Sequence, residues 1–130
     1  MTVLVVDAAN VVGSRPDGWW RDRAGATERL LARLAALPGR ALSGPVDCTG
    51  VVAVVEGRAR DVPAPDGVQV VRATGSGDDA LVRFAAVQGG PLLVVTADRG
   101  LRDRLPDGVE VKGPGWLLAK LDEIDCAPPV

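Results

Sequence analysis

Five short segments rich in Val and Leu constrain this sequence most strongly. They span residues 3–6, 51–55, 68–71, 92–95 and 109–111. The strongest of them are continuous apolar runs of four or five residues, rather than alternating patterns. Such runs are typical of strands that are covered on both faces, as in a parallel sheet. The sequence therefore predicts parallel strands with helices packed on both sides.

The segments between these runs carry apolar residues at helical spacing. A helix is predicted over residues 28–37, where Pro38-Gly39 ends it, and another over residues 78–88. A short helix is expected after Asp98 and a last one from near Pro114. Strands that alternate with helices indicate an α/β domain with the sheet in the middle.

Length and residue types limit both the architecture and the chemistry. With 130 residues and 47% hydrophobic side chains, the chain is expected to form one domain over residues 1–126, followed by a short tail over 127–130. The sequence has no His, which excludes His-dependent nucleophilic catalysis and His-ligated zinc. The two cysteines, Cys48 and Cys126, are too few for a disulfide framework.

The N-terminal segment and the net charge bear on location and partners. Asp7 interrupts the first apolar run before a signal peptide is complete, and no segment approaches the length of a membrane span. We therefore expect a cytoplasmic protein that does not enter a membrane. The formal net charge of −2 argues against tight, nonspecific binding to duplex nucleic acid.

Acidic residues follow three of the predicted strands. Asp7 ends the first strand, Asp98 follows the fourth, and Asp78 follows the third through a loop. In parallel sheets, ligands bind beyond the carboxyl ends of the strands. Three carboxylates at one edge repel one another unless a cation is present. Mg²⁺ and Mn²⁺ prefer such oxygen ligands, so the sequence predicts a divalent metal site.

Asp98 and Asp79, the neighbour of Asp78, also have structural interpretations. Asp98 has the sequence context of an N-cap for the short helix that follows it. Asp79 fits a capping box with Ser76, which makes Asp78 the better metal candidate of the pair. Asp7 has a weaker structural explanation, because no basic residue lies near it in sequence.

Three motifs resemble those of NYN domains, which belong to the PIN-like nuclease superfamily, and the YacP-type branch in particular. They are VDAANVVG at residues 6–13, GDDAL at 77–81 and VVTADR at 94–99. The resemblance implies a three-layer α/β/α sandwich around a mostly parallel sheet. It also implies a metal-dependent ribonuclease that hydrolyses RNA phosphodiester bonds.

The resemblance further implies the roles of particular residues. The catalytic candidates are Asp7, Asn10, Asp78 and Asp98. Asp7, Asp78 and Asp98 would bind Mg²⁺ or Mn²⁺, with Asn10 and Thr96 as polar partners that hold the geometry. Further candidates near the site are Thr96, Asp79, Glu56 and Asp103. Glu56 stands where relatives often end a strand with an acid, and Asp103 is the nearest match for a fourth acid.

Arginines on both sides of the acidic positions are candidates for RNA binding. They are Arg15, Arg21, Arg23, Arg99, Arg102 and Arg104. Trp19 and Trp20 have two interpretations: they stack on an unpaired base of single-stranded RNA, or they cover the core. The oligomeric state is left open, with a homodimer as one option.

Two other functions remain as alternatives. A carboxylate-bound magnesium also suits a nucleotide pyrophosphohydrolase, although the four Glu residues of this chain form no cluster at helical spacing. A non-catalytic RNA-binding adaptor with a degenerate site is the second alternative.

Overall fold

The apolar runs form the strands of one sheet in the computed structural model, which describes residues 2–43 and 46–125. The strands are β1 (Thr2–Asp7), β2 (Ala41–Ser43), β3 (Val46–Val55), β4 (Val68–Arg72), β5 (Leu92–Val95) and β6 (Glu110–Lys112). The helices are α1 (Ala8–Val12), α2 (Arg23–Leu34), α3 (Gly77–Gln88), α4 (Arg99–Asp103) and α5 (Pro114–Asp125). Cys126 and the predicted tail over residues 127–130 lie outside the described residues.

Five of the strands pair in parallel in the order β4-β3-β1-β5-β6, and β2 pairs with β3 in the antiparallel sense. The register aligns the carboxyl ends of the central strands. Asp7 of β1 lies beside Val54 of β3, and Val6 lies beside Val95 of β5. The residues that follow these three strands therefore emerge at one edge of the sheet.

Helices cover both faces of the sheet, as expected for strands without an alternating pattern. The larger core lies on the face covered by α1, α2 and α5; its buried side chains include Leu4, Val6, Leu31, Leu93 and Leu117. The smaller core lies on the face covered by α3 and α4; its buried side chains include Val5, Leu81, Val94 and Leu101. The predicted α/β fold is thus confirmed, with three layers and a sheet that is mostly parallel.

The structure corrects the predicted start and end of α2. The helix begins at Arg23 rather than at residue 28, because Asp22 caps it: its carboxylate accepts a hydrogen bond from the backbone N–H of Gly25 at 2.9 Å. The first turn of α2 contains no large apolar side chain, because the apolar stripe of the helix begins at Leu30. The helical spacing of apolar residues therefore could not reveal this turn. The helix ends at Leu34 rather than at residue 37, since the chain tightens there into a turn in which Leu37 N–H bonds to the Leu34 carbonyl.

Two short elements carried no periodic signal. Helix α1 has only five residues and follows β1 without a loop, and β2 has only three residues. Elements this short hold too few apolar positions to show a period. In the described part of the chain, no helix has the length and apolar character required to span a bilayer.

Candidate functional site

The site lies where the chain connections of the sheet change direction. From β1 the chain passes through α1 and α2, on the face of the larger core, to reach β3. From β5 it passes through α4, on the opposite face, to reach β6. Because β1 and β5 are neighbours, a crevice opens between their carboxyl ends, the usual ligand position in open α/β sheets. Asp7 ends β1 at this crevice, and residues 96–98 follow β5 there.

Asp7 is a buried acid, with only 6% of its surface exposed. One carboxylate oxygen, Oδ2, accepts a hydrogen bond from Thr96 Oγ1 at 3.1 Å, and the other accepts a long one from the Asn10 backbone N–H at 3.5 Å. The pKa of Asp7 is raised from 3.8 to about 6, chiefly by burial. The two hydrogen bonds lower the pKa, whereas the charges of Asp78 and Glu56 raise it further. Asp7 is therefore held where its negative charge is poorly solvated.

Two side chains connect the end of β1 to the segment after β5. Thr96 Oγ1 donates to Asp7 and accepts a hydrogen bond from the Asp98 backbone N–H at 3.1 Å. Asn10 Oδ1 accepts a hydrogen bond from the Ala97 backbone N–H at 2.8 Å. The side chain of Asn10 therefore holds the backbone of this segment rather than another carboxylate.

Asp98 and Asp78 lie at the starts of two helices, α4 and α3. Asp98 caps α4, since its Oδ1 accepts a hydrogen bond from the Leu101 backbone N–H at 3.1 Å. Asp78 lies in the first turn of α3, close enough to Asp98 for the charge of Asp98 to act on it. Partial burial, then the charges of Asp98 and Glu56, raise the pKa of Asp78, while Arg104 acts weakly in the other direction.

Glu56, directly after β3, lies close to these carboxylates. Its Oε2 accepts a hydrogen bond from the Gly77 backbone N–H, the first residue of α3, at 2.7 Å. A Cβ atom at position 77 would lie only 2.9 Å from Glu56 Cδ. The contact therefore requires glycine at this position, and it places the Glu56 charge close enough to act on Asp7 and Asp78.

We call Asp7, Glu56, Asp78 and Asp98 the acidic cluster. None of the four takes part in an ion pair within residues 2–43 and 46–125. No three acidic or thiol side chains of these residues surround a common point at ligand distance. The donor set nevertheless fits Mg²⁺ or Mn²⁺, because these ions are commonly held by one or two carboxylates and complete their coordination with water.

Two further acidic candidates lie outside the acidic cluster. Asp79 is exposed and pairs with Arg104 at 2.7 Å, and its backbone N–H donates to the N-cap side chain of Ser76 at 3.4 Å. Asp103 is exposed at the end of α4 and is not among the charges that shift the pKa of Asp7 or Asp78. A cleft of about 570 Å³ between β4 and α3 contains Asp79 but no member of the acidic cluster.

The arginine candidates divide into separate groups. Arg15 pairs with Asp122 of α5 at 3.2 Å, which draws it toward the side of the molecule where Arg33 binds the same carboxylate. Arg21 ends the 3-10 turn before α2, Arg23 is the first residue of α2, and both line one groove. Arg99 and Arg102 are exposed on α4, on the opposite face of the sheet.

Two residues near the site were absent from the sequence predictions. Arg58 lines the same groove as Arg21 and Arg23, and Gly77 holds Glu56. Arg58 could have been predicted from the sequence, because it comes two residues after Glu56, which follows the end of β3. Gly77 gives a weaker signal, as the first residue of the GDDAL motif.

The fold resembles that of Rae1 (YacP) from Bacillus subtilis, as seen in the crystal structure of a mutant of that protein. The TM-score is 0.70, the match covers 96% of this chain and 77% of the Rae1 chain, and the sequence identity is 20%. At this identity the likeness shows a shared, YacP-like fold. No protein-family model matches the sequence, and no curated protein matches it significantly.

Proposed function

We propose that this protein is a metal-dependent ribonuclease that hydrolyses phosphodiester bonds of single-stranded RNA. The observation that carries the proposal is the buried carboxylate of Asp7 in the crevice between β1 and β5. It lies close enough to Glu56 and Asp78 for their charges to raise its pKa, and in the described residues no basic side chain pairs with it. A bound divalent cation relieves this repulsion.

The residues of the cluster would divide the work according to their positions. Asp7 and Asp98 would hold the metal directly, with Asp78 acting through water or a second ion. Thr96 would keep the Asp7 carboxylate in one orientation, and Asn10 would keep the segment after β5 in place. Mg²⁺ or Mn²⁺, when bound, would lower the pKa of a water molecule and neutralise charge on the phosphate.

The absence of His supports a role for the metal in this chemistry. Without an imidazole, the chain has no side chain whose ordinary pKa makes it a general base near neutrality. Resemblance of three motifs to NYN domains and the shared fold with Rae1 (YacP) agree with the proposal. The argument for the reaction itself depends on the acidic cluster.

Cleavage of an end-labelled single-stranded RNA tests the proposal. We expect the wild-type protein to cleave it with Mg²⁺ or Mn²⁺ and not with EDTA, and we expect Asp7→Asn to lose this activity. Asp107→Asn is the matched control, because Asp107 is exposed in the turn before β6 and belongs to no contact of the site. Cleavage that persists in Asp7→Asn, or in EDTA, would refute the proposed mechanism.

The same preparation distinguishes the two alternative functions. Hydrolysis of nucleoside triphosphates without RNA cleavage would identify a pyrophosphohydrolase. RNA binding with neither activity would identify an adaptor. Thermal unfolding of each variant shows whether a loss of activity reflects a loss of folding.

A further inference from the structure

A cleft of about 380 Å³ lies next to the acidic cluster, on the α1 side of the sheet. Its walls come from α1 and α2, from the 3-10 turn at Trp19–Arg21, and from the segment that follows β3. Ala8, Val12, Val55 and Ala59 make the walls apolar, and Glu56 lies at the side that faces the acidic cluster. The volume falls within the usual range for ligand pockets.

Trp19 forms one wall of this cleft and is held in a fixed orientation. The Arg23 guanidinium lies over the ring, with its Cζ atom 5.2 Å from the ring centroid. The neighbouring Trp20 packs edge to face against Trp19, with centroids 5.9 Å apart and an interplanar angle of 85°. An indole constrained in this way is prepared to contact a flat ligand at a low cost in conformational entropy.

The rim of the cleft carries positive charge. Arg23 and Arg58 belong to the cleft and also, with Arg21, to an adjoining groove of about 470 Å³. None of these three arginines forms an ion pair within the described parts of the chain. A path therefore runs from the acidic cluster, through an apolar cleft, to a groove in which these three arginines outnumber the one carboxylate, Asp22.

We propose that the cleft binds one nucleobase of single-stranded RNA, next to the phosphate held at the acidic cluster. This inference rests on the proposed ribonuclease function. The base contacts the Trp19 ring, while Arg23 and Arg58 bind the phosphates on its far side. An apolar ring joined to an anionic backbone matches the apolar walls and the cationic rim together. A base that is paired and stacked in a duplex cannot enter, so the cleft selects unpaired RNA.

Binding measurements with single abasic substitutions test this proposal. Fluorescence anisotropy of a labelled single-stranded oligonucleotide is measured with Ca²⁺ and, separately, with EDTA, so that binding is recorded without added Mg²⁺ or Mn²⁺. We expect Trp19→Ala to weaken binding roughly 5- to 150-fold, the range for loss of one base–aromatic contact, and Trp19→Phe to restore part of it. For the wild-type protein, an abasic substitution at one position of the oligonucleotide should weaken binding to a similar extent. The same substitution should not change the affinity of the Trp19→Ala variant.

Arg58→Ala should also weaken binding, and Arg60→Ala is its matched control. Arg60 is exposed two residues away and lines neither the cleft nor the groove. Equal affinity of wild type and a folded Trp19→Ala, an abasic series without a sensitive position, or no binding by the wild type in either buffer would each overturn the proposal.

The two proposals fail in different ways. If the wild type cleaves RNA and Trp19→Ala has the same kcat/KM, the base-binding cleft is refuted and the ribonuclease stands. If the wild type binds RNA through Trp19 and does not cleave it, the ribonuclease is refuted and the cleft stands.

Discussion

Among single residues, Asp7 is the one whose burial and raised pKa lower the stability of the folded protein when the carboxyl group is ionised. It is 6% exposed, and its pKa is raised to about 6, chiefly by burial. A group whose pKa is higher in the folded state than in the unfolded chain binds its proton more tightly when folded. Its ionisation therefore costs stability as the pH rises through the interval between the two values. The site keeps a charge that the fold alone would not favour.

Asp7→Asn should therefore stabilise the metal-free protein at pH 8. The interval from 3.8 to about 6 corresponds to about 3 kcal/mol, because one pKa unit is worth about 1.4 kcal/mol. The advantage of the variant should shrink as the pH falls from 6 to 4, where the wild-type carboxyl is also neutral. Urea unfolding with EDTA at several pH values measures it. A variant that is less stable than wild type at pH 8 would contradict this account.

Thr96 is predicted to position the site without contacting the substrate. It is buried and joins Asp7 to the Asp98 backbone through one hydroxyl group. Thr96→Val leaves a buried donor and acceptor without a partner, which costs about 1–3 kcal/mol. We expect metal affinity to fall about 10- to 100-fold. Thr96→Ser keeps the hydroxyl group and should retain most of the affinity, as titration calorimetry with Mn²⁺ would show; equal losses in both variants would argue against this role.

At the scale of elements, the first turns of the helices determine where the acidic side chains stand. Helix α1 follows β1 directly, with Asp7 as its N-cap residue, and α4 has Asp98 in the same position. Helix α3 begins at Gly77, and its backbone N–H holds Glu56. Each acidic residue is therefore at or near a helix start, where the helix dipole favours a negative charge.

Gly77→Ala tests whether the start of α3 positions Glu56. The new Cβ would lie 2.9 Å from Glu56 Cδ, and the carboxylate would have to move away. Because the obstacle is the end of a flexible side chain, we expect the protein to remain folded. Metal-dependent cleavage should fall about tenfold, the lower end of the effect of removing a group that orients a ligand.

Gly75→Ala is the matched control for this prediction. Gly75 lies in the same loop, has no atoms within 4 Å of a Cβ position, and has a negative φ. Similar activity of the two variants, measured with the labelled RNA and with far-UV circular dichroism as a check on folding, would remove Glu56 from the site.

Across the whole molecule, the local distribution of charged side chains matters more for RNA binding than the net charge does. The chain carries a formal net charge of −2, yet Arg21, Arg23 and Arg58 line one groove, which adjoins the cleft next to the acidic cluster. RNA binding through a few arginines is expected to depend on salt in proportion to the number of phosphates that they neutralise. The net charge therefore does not decide whether this protein binds RNA.

The dependence of RNA affinity on salt should report those three contacts. For single-stranded RNA, three phosphate contacts give a slope of about −2 in log affinity against log salt, since each contributes roughly 0.7. Arg58→Ala should reduce the slope by about 0.7, whereas Arg60→Ala should leave it unchanged. Anisotropy titrations between low and moderate salt measure both slopes. A slope near zero for wild type would show that the groove does not bind phosphate.

Local sequence patterns were sufficient to predict the layers of the fold and the edge of the sheet where the candidate site lies. Apolar runs encode buried strands, and a strand end is a local feature, so Asp7, Asp98 and Asp78 could be assigned to one edge before any contact was known. The short helix α1 and strand β2 gave no such signal, because they contain too few residues to show a period.

Which side chains come into contact could not be predicted from local patterns. The contact of Glu56 with Gly77, the pairing of Asp79 with Arg104, and the cleft at Trp19 each join segments that are distant in sequence or separated by a turn. Arg15 lies in the same connection between α1 and α2 as Arg21, yet it pairs with Asp122 of α5. Such contacts depend on how helices pack on the sheet, and packing is set by the whole set of buried side chains rather than by any local pattern.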